Sequence, residues 1–299
     1  METFLRSDLA MEWSGVDAGA GVRVQRARVG GCEIVRVHIA TEAAAARLQK
    51  PCGRYVTVEG GDLCRLDDGA LDEMRRVLSV ELRDLAERAC GSRVSRGFSV
   101  LVIGLGNREI TPDAVGPETV RRLAVTRHLC DTDRALSPTA GLCRISAVSP
   151  GVTAQTGIEA AELVRGAVRA VSPDLVIAVD ALAARDVRHL AAAVQISDVG
   201  VRPGSGLGGG GRTLSRESVG VPVIAIGVST VVDSAALMAD ALRRAGIESP
   251  DAAVRQALTA GKGYFVSPRE IDLQVAVAAT LLSGALERAF SVDGYQYPP

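Results

Sequence analysis

Two aspartates, Asp113 and Asp180, each follow an apolar run in this 299-residue chain, Val100–Ile103 and the segment DLVIAVD at 174–180. A carboxylate is costly to bury, so one set at a strand end facing a crevice is placed where its charge can stay useful. Two such groups close together share protons, because ionising the first opposes ionising the second. One can then take a proton from water while the other gives one up, help worth roughly 10²–10⁴-fold in rate. The same residues also fit a plainer role, since an Asp after a strand is often an N-cap or a turn former. Other chemistries find less support. There is no G-x-S-x-G elbow. The histidines, His38, His128 and His189, lie far apart without an H-E-x-x-H pattern and read as surface or capping residues. No Cys–His pair is singled out. The run Gly200–Gly211 lacks the G-K-S/T ending of a phosphate loop and reads as a mobile loop over a cleft.

The elements that must position the two acids are legible. Phe98–Pro117 reads as a buried strand, a tight turn at Gly104 and Gly106, a polar segment ending Thr111-Pro112-Asp113, and a helix beginning near Glu118. That order puts Asp113 at the carboxyl end of a sheet strand, where open α/β sheets carry their chemistry. Strands are also expected at Ile145–Val148, Asp174–Asp180, Val194–Ile196 and Pro222–Gly227, with helices from about Ile158, over Val231–Ala245 and over Pro268–Phe290. Earlier in the chain, Val22–Val29 and Cys32–Ile39 alternate around Gly30-Gly31 as a hairpin does. Tyr55–Glu59 reads as a further strand, and Asp67–Ala89 carries apolar residues at helical spacing. The expected fold is α/β: three layers, a mostly parallel twisted sheet with helices on both faces, plus an N-terminal β-hairpin region.

Composition narrows the class. With 34 basic and 35 acidic residues the formal net charge is −1, which offers no basic surface for nucleic acid. No run approaches the ~18 apolar residues of a membrane span. The start METFLRSDLAMEW shows no apolar signal core, so no signal peptide is expected. Six scattered cysteines, without a C-x-x-C pair, then read as reduced thiols of a cytoplasmic protein. Only 3% of residues are aromatic, so Ala, Val, Leu and Ile must build the core.

The motifs RSDLAME (6–12), VIGLGNREITPDAVGP (102–117), SPGVTAQTGIEAAELVRGAV (149–168), DLVIAVDALAAR (174–185), QISDVGVRPGSGLG (195–208), LSRESVGVPVIAIGVSTVVD (214–233) and VSPREID (266–272) resemble, in order, those of the germination proteases of spore-forming bacteria. The resemblance implies an atypical endopeptidase that starts the degradation of small acid-soluble spore proteins in the spore core. Its catalytic pair would be Asp113 and Asp180, with no cofactor. A divalent metal on the two acids is the less favoured version, since two carboxylates without a nearby His make a poor site. The fold would be that of the hydrogenase-maturation peptidases. The resemblance also implies a homotetrameric zymogen that clips itself, here between Asp8 and Leu9, which makes residues 1–8 a short pro-segment and 9–299 a single peptidase domain. Departures from the family pattern are Arg108 in place of an aromatic, Ser229 in place of Pro, and a short 233–266 region. Two other functions fit the residues: a hydrogenase-maturation-type peptidase, and a non-catalytic nucleotide- or peptide-binding module using Gly200–Gly211.

Overall fold

A computed structural model describes residues 7–13, 19–132, 143–204, 211–247, 251, 253–254, 256–257 and 264–291. Residues 1–6 of the expected pro-segment and 205–210 of the glycine run lie outside them.

The alternating N-terminal segments form strands β1 (Val22–Val29) and β2 (Cys32–Ile39), paired antiparallel with Val29 opposite Cys32. The turn between them needs a left-handed residue, and Gly30 supplies it at φ +54°. Helix α1 (Glu42–Leu48) follows, its N-cap Thr41 accepting from the Ala44 amide. Its sequence, EAAAARL, has too few large apolar residues to show a period in the sequence alone. Strand β3 (Gly53–Glu59) then returns antiparallel to β2. Helix α2 (Asp68–Cys90) starts at the Asp67 cap and ends at Gly91, which is left-handed at φ +67°.

Strand β4 (Ser99–Gly104) leads through a 3-10 turn at Thr111–Asp113 into α3 (Val115–Arg122) and α4 (Arg127–Thr132). Strand β5 (Arg144–Val148) is followed by α5 (Thr153–Thr156), α6 (Ala160–Val171) and β6 (Leu175–Ala184). Then come β7 (Ala193–Ser197), α7 (Arg216–Val219), β8 (Val223–Asp233), α8 (Ser234–Arg244), β9 (Phe265–Val266) and α9 (Ile271–Ala289).

All nine strands join one sheet in the order β1-β2-β3-β7-β8-β6-β4-β5, with β9 on the end of β8. The block β8-β6-β4-β5 is parallel, and the rest is antiparallel. The sheet is therefore mixed. The change of direction has a simple cause: only residues 185–192 separate β6 from β7, too few for a parallel crossover, so the chain must return antiparallel. Strand β7 pairs with β3 on one side and β8 on the other, joining the N-terminal hairpin to the parallel block.

One face of the sheet packs Val100, Val102, Ile177, Val179, Ile224 and Ile226 against α2, α3 and α9. The opposite face has two coverings. Helices α6 and α7 cover Leu101, Ile103, Val176 and Ala178. Helix α1 and a 3-10 turn at Ala10–Glu12 cover Val35, Val37, Ile39 and Tyr55. Where these coverings meet, Asp180, Gly227 and Gln195 lie side by side in one cross-strand row and therefore share a face.

Candidate active site

Strand β4 gives way to Leu105, whose amide donates to the Val179 carbonyl at 2.8 Å. Gly106 then turns at φ +109°, with no room for a side chain: a Cβ there would stand 2.0 Å from the Asp113 carbonyl oxygen. This close return brings the TPD turn back over the strand end. The Asn107 amide donates to Asp113 Oδ2 at 2.6 Å, and the Asn107 side chain accepts from Gln155 Nε2 at 2.8 Å. Gly116, at the start of α3, rests directly on backbone. A Cβ there would lie 2.2 Å from the Leu105 oxygen and 2.5 Å from the Val179 oxygen. Three glycine-dependent contacts thus fix Asp113 above the end of β4, beside Val179 of β6.

The sequence places Asp180 just beyond its strand. In the structure it lies inside β6, which continues to Ala184 because pairing with β8 persists through a register shift at Leu182/Ala183. On the other flank, the β4 ladder stops at the Gly104–Val179 pair. Asp180 is therefore interior with respect to β8 and the first residue past the end of β4. The chain leaves β4 for β5 on one side, and β6 lies on the other. A crevice opens outside the carboxyl ends of strands at such a reversal.

Asp180 is buried, with the Ala181 amide on its Oδ1 at 2.9 Å. Burial first, and the charge of Asp113 second, hold its pKa well above the ordinary carboxylate range, with a smaller push from Asp8. Asp113 is more open. Burial raises it too, opposed by the Asn107 amide. Coupled acids titrate as a pair. The surroundings of both groups favour the protonated form, at Asp180 through burial and the neighbouring charge together. Among the described residues, no three His, Cys, Asp or Glu side chains gather as a metal cage. Asp113 and Asp180 alone would supply two carboxylates, each with one oxygen already accepting a backbone amide, few ligands for a hard cation.

The Asp8–Leu9 segment is seated on the protein rather than loose. The Asp8 amide donates to the Ala183 carbonyl at 2.8 Å, and the Ala183 amide donates to Asp8 Oδ2 at 2.8 Å. The Asp8 carbonyl oxygen accepts from Lys50 Nζ at 3.0 Å and from Gln195 Nε2 at 2.7 Å. Gln195 Oε1 accepts from the Ala10 amide at 2.7 Å. Leu9 is fully buried against Ala184 and Ala193. Glu12 anchors the segment, accepting from the Arg185 and Asp186 amides at 2.7 and 2.9 Å and contacting His189 Nδ1 and Ser7 Oγ.

His189 is accordingly no surface residue. Its ring is held between Glu12 and Glu59, and its Nε2 is 3.3 Å from Glu59. Burial works to lower its pKa, but the hydrogen bond it donates to Glu12 and the two glutamate charges win and raise it. Burial also works to raise Glu12, and its hydrogen bonds, led by His189 and Ser7, leave it lowered instead. Sequence reasoning missed Lys50, Gln195 and Glu12. They come from three distant segments, and no spacing links them.

A family model described as germination protease matches residues 8–245. The germination protease of Clostridium perfringens strain SM101 is 39% identical over 215 residues, covering 70% of this chain and 62% of that one. That of Caldanaerobacter subterraneus subsp. tengcongensis is 40% identical over 241 residues, covering 80% and 72%. That of Priestia megaterium is 40% identical over 222 residues, covering 74% and 59%. The chain thus spans about three fifths of the length of the first and third of these relatives. Among solved structures, the NiFe hydrogenase maturation protease HycI from Thermococcus kodakarensis KOD1 aligns over 69% of this chain and 98% of its own, with 19% identity and a TM-score of 0.34.

Proposed function

The chain belongs to the germination protease family, and we propose that it is an endopeptidase in which Asp113 and Asp180 work as an acid–base pair on one water molecule. The observation that carries this reading is the placement of two acids at one end of adjacent strands: Asp113 on the turn after β4, held by the Asn107 amide, and Asp180 buried on β6 at the first residue past the end of β4, where the Asp113 charge reaches it. Ionised Asp113 takes a proton from water as the water oxygen bonds to the scissile carbonyl carbon. Protonated Asp180 gives its proton to the leaving nitrogen as the C–N bond breaks. The products are a carboxyl and an amine, and a proton exchange between the acids and solvent resets the pair.

The substrates in this proposal are small acid-soluble spore proteins, cut after an acidic residue and before an apolar one, in the spore core. The protein is made as a homotetrameric zymogen that clips its own Asp8–Leu9 bond, and the short 1–8 segment hinders the cleft until then. What supports the cis cut is that the peptide on both sides of that bond is hydrogen-bonded, Asp8 to Ala183 and Ala10 to Gln195. No helix among the described residues is long and apolar enough to cross a membrane.

The test is cleavage of a purified small acid-soluble spore protein by wild type, Asp113→Asn and Asp180→Asn. Wild type is expected to cut and both variants to lose activity while remaining folded. Full activity in either variant removes that residue from the mechanism.

A further inference from the structure

We infer that Lys50 and Gln195 bind the carbonyl oxygen of the bond being cut, first that of Asp8–Leu9 and then that of an acidic–apolar bond in a substrate. The inference rests on the endopeptidase reading above and assigns it two further residues. Three observations carry it. The Asp8 oxygen receives two donors, Gln195 Nε2 at 2.7 Å and Lys50 Nζ at 3.0 Å. These are hydrogen-bond distances to the oxygen on which charge develops as a tetrahedral intermediate forms, and one donor is an ammonium group.

Second, the Gln195 amide reads the peptide at two points, donating to Asp8 and accepting from Ala10 two residues on. That is how a sheet neighbour would hold an extended chain, and it depends on backbone alone. A substrate of different side chains can take the same place. The acidic residue has its own partner, because Asp8 Oδ2 accepts from the Ala183 amide. Burial lowers the Lys50 pKa, and the charges of Asp8 and Glu12 oppose that and favour its ammonium form. The apolar residue after it is enclosed by Ala184 and Ala193, with Leu182 and Leu190 alongside.

Third, the donors sit on the acid's side of the sheet. Gln195 and Asp180 flank Gly227 in one row, so their Cα atoms are about 10 Å apart, two strand spacings. The Gln195 side chain that holds the Asp8 carbonyl therefore projects from the same face of the sheet as Asp180. Asp8 is near enough to raise the Asp180 pKa. Lys50 is held in place by packing its ammonium over the Trp13 ring, 5.9 Å from the centroid.

Water oxygen bonds to the Asp8 carbonyl carbon, and the carbonyl π electrons move to the oxygen facing Lys50 and Gln195. The charge stays there until the C–N bond to Leu9 breaks and the Leu9 nitrogen takes a proton. Residues 1–8 leave with a new carboxyl terminus, and the same two donors are exposed to the next peptide.

A role limited to anchoring residues 7–12 makes a different prediction, so the two can be separated. Wild type, Lys50→Met, Lys50→Arg and Gln195→Met full-length chains are compared in two assays: appearance of a Leu9 terminus by mass spectrometry, and steady-state cleavage of a synthetic peptide containing Ser-Asp-Leu-Ala-Met-Glu. Wild type cutting neither would remove the endopeptidase reading itself. With wild type active, the expected result is a loss of about 100-fold or more in kcat for Lys50→Met and Gln195→Met. KM changes less than kcat, and Lys50→Arg recovers to within about tenfold of wild type. Values of kcat within about threefold of wild type in both Met variants, even with lowered Tm, would overturn the inference, as would a loss confined to KM. If one Met variant does not fold by circular dichroism, the other decides.

Discussion

At Asp180 burial and the charge of Asp113 act in the same direction. Its environment favours the neutral form, so an amide of the same shape should sit there without strain. Asp180→Asn is expected to keep or raise Tm at pH 7 while cutting peptidase activity roughly 10²–10⁴-fold. Asp113→Asn should give a similar loss, and thermal melts beside the activity assay check both. The Glu12–His189 contact gives a separate pH signature. Glu12 has a lowered folded pKa, so its contribution is present above the unfolded value of 4.5 and lost as pH falls through the folded one. His189 has a raised pKa, so its contribution is present below 6.5 and lost as pH rises through its folded value. The Tm gap between wild type and Glu12→Gln should therefore be widest between about pH 4.5 and 6.5 and narrow on both sides. A gap that is flat from pH 4 to 8 would show that the ion pair contributes nothing. Asp113 is plain in the sequence, since the VLVIGLG run and the TPD turn mark a strand end. His189 is not: its partners Glu12 and Glu59 lie far away in sequence, and only folding brings them to one ring.

At the scale of elements, the site depends on helix α3 lying directly against backbone. Gly116 faces the Leu105 and Val179 oxygens where no Cβ fits, and Gly104 faces the Gly116 carbonyl at a distance that also excludes one. Gly116→Ala should move α3 off the strand ends. The expected cost is about 1–3 kcal/mol, with a loss of activity larger than that destabilisation would cause at the assay temperature. A denaturant titration paired with the peptide assay measures both. Gly106→Ala adds a strained left-handed backbone to a similar clash. The strand–glycine–helix order around Asp113 follows from apolar runs and glycines, which act locally. The length of β6 does not. Its last residues look like a loop in sequence and become a strand only because β8 continues alongside them.

At the scale of the molecule, the chain closes on itself at the far end of the sheet from the site. Phe290, just after α9, is fully buried and stacks on Phe98, just before β4, with ring centroids 6.3 Å apart. The Arg83 guanidinium donates to the Ala289 carbonyl at 2.7 Å and so ties α9 to α2. Phe290→Ala should cost about 3–5 kcal/mol, read as a shift of the denaturation midpoint, and leave kcat per folded molecule unchanged. The other long-range join is β7, which fastens the hairpin half to the parallel half and carries Gln195.

By itself the sequence determined the family, the strand–helix alternation and the N-terminal hairpin, because apolar period, glycine position and motif order are properties of neighbouring residues. It also named the two acids and the Asp8–Leu9 bond as candidates. Tertiary structure alone decided that β7 runs antiparallel, that Asp180 lies within a strand while clearing the end of another, and that residues 7–12 rest on Lys50, Gln195 and His189. Those facts depend on which distant segments come to share an edge or a face. That choice is set by packing the whole apolar surface at once, and no local pattern records it.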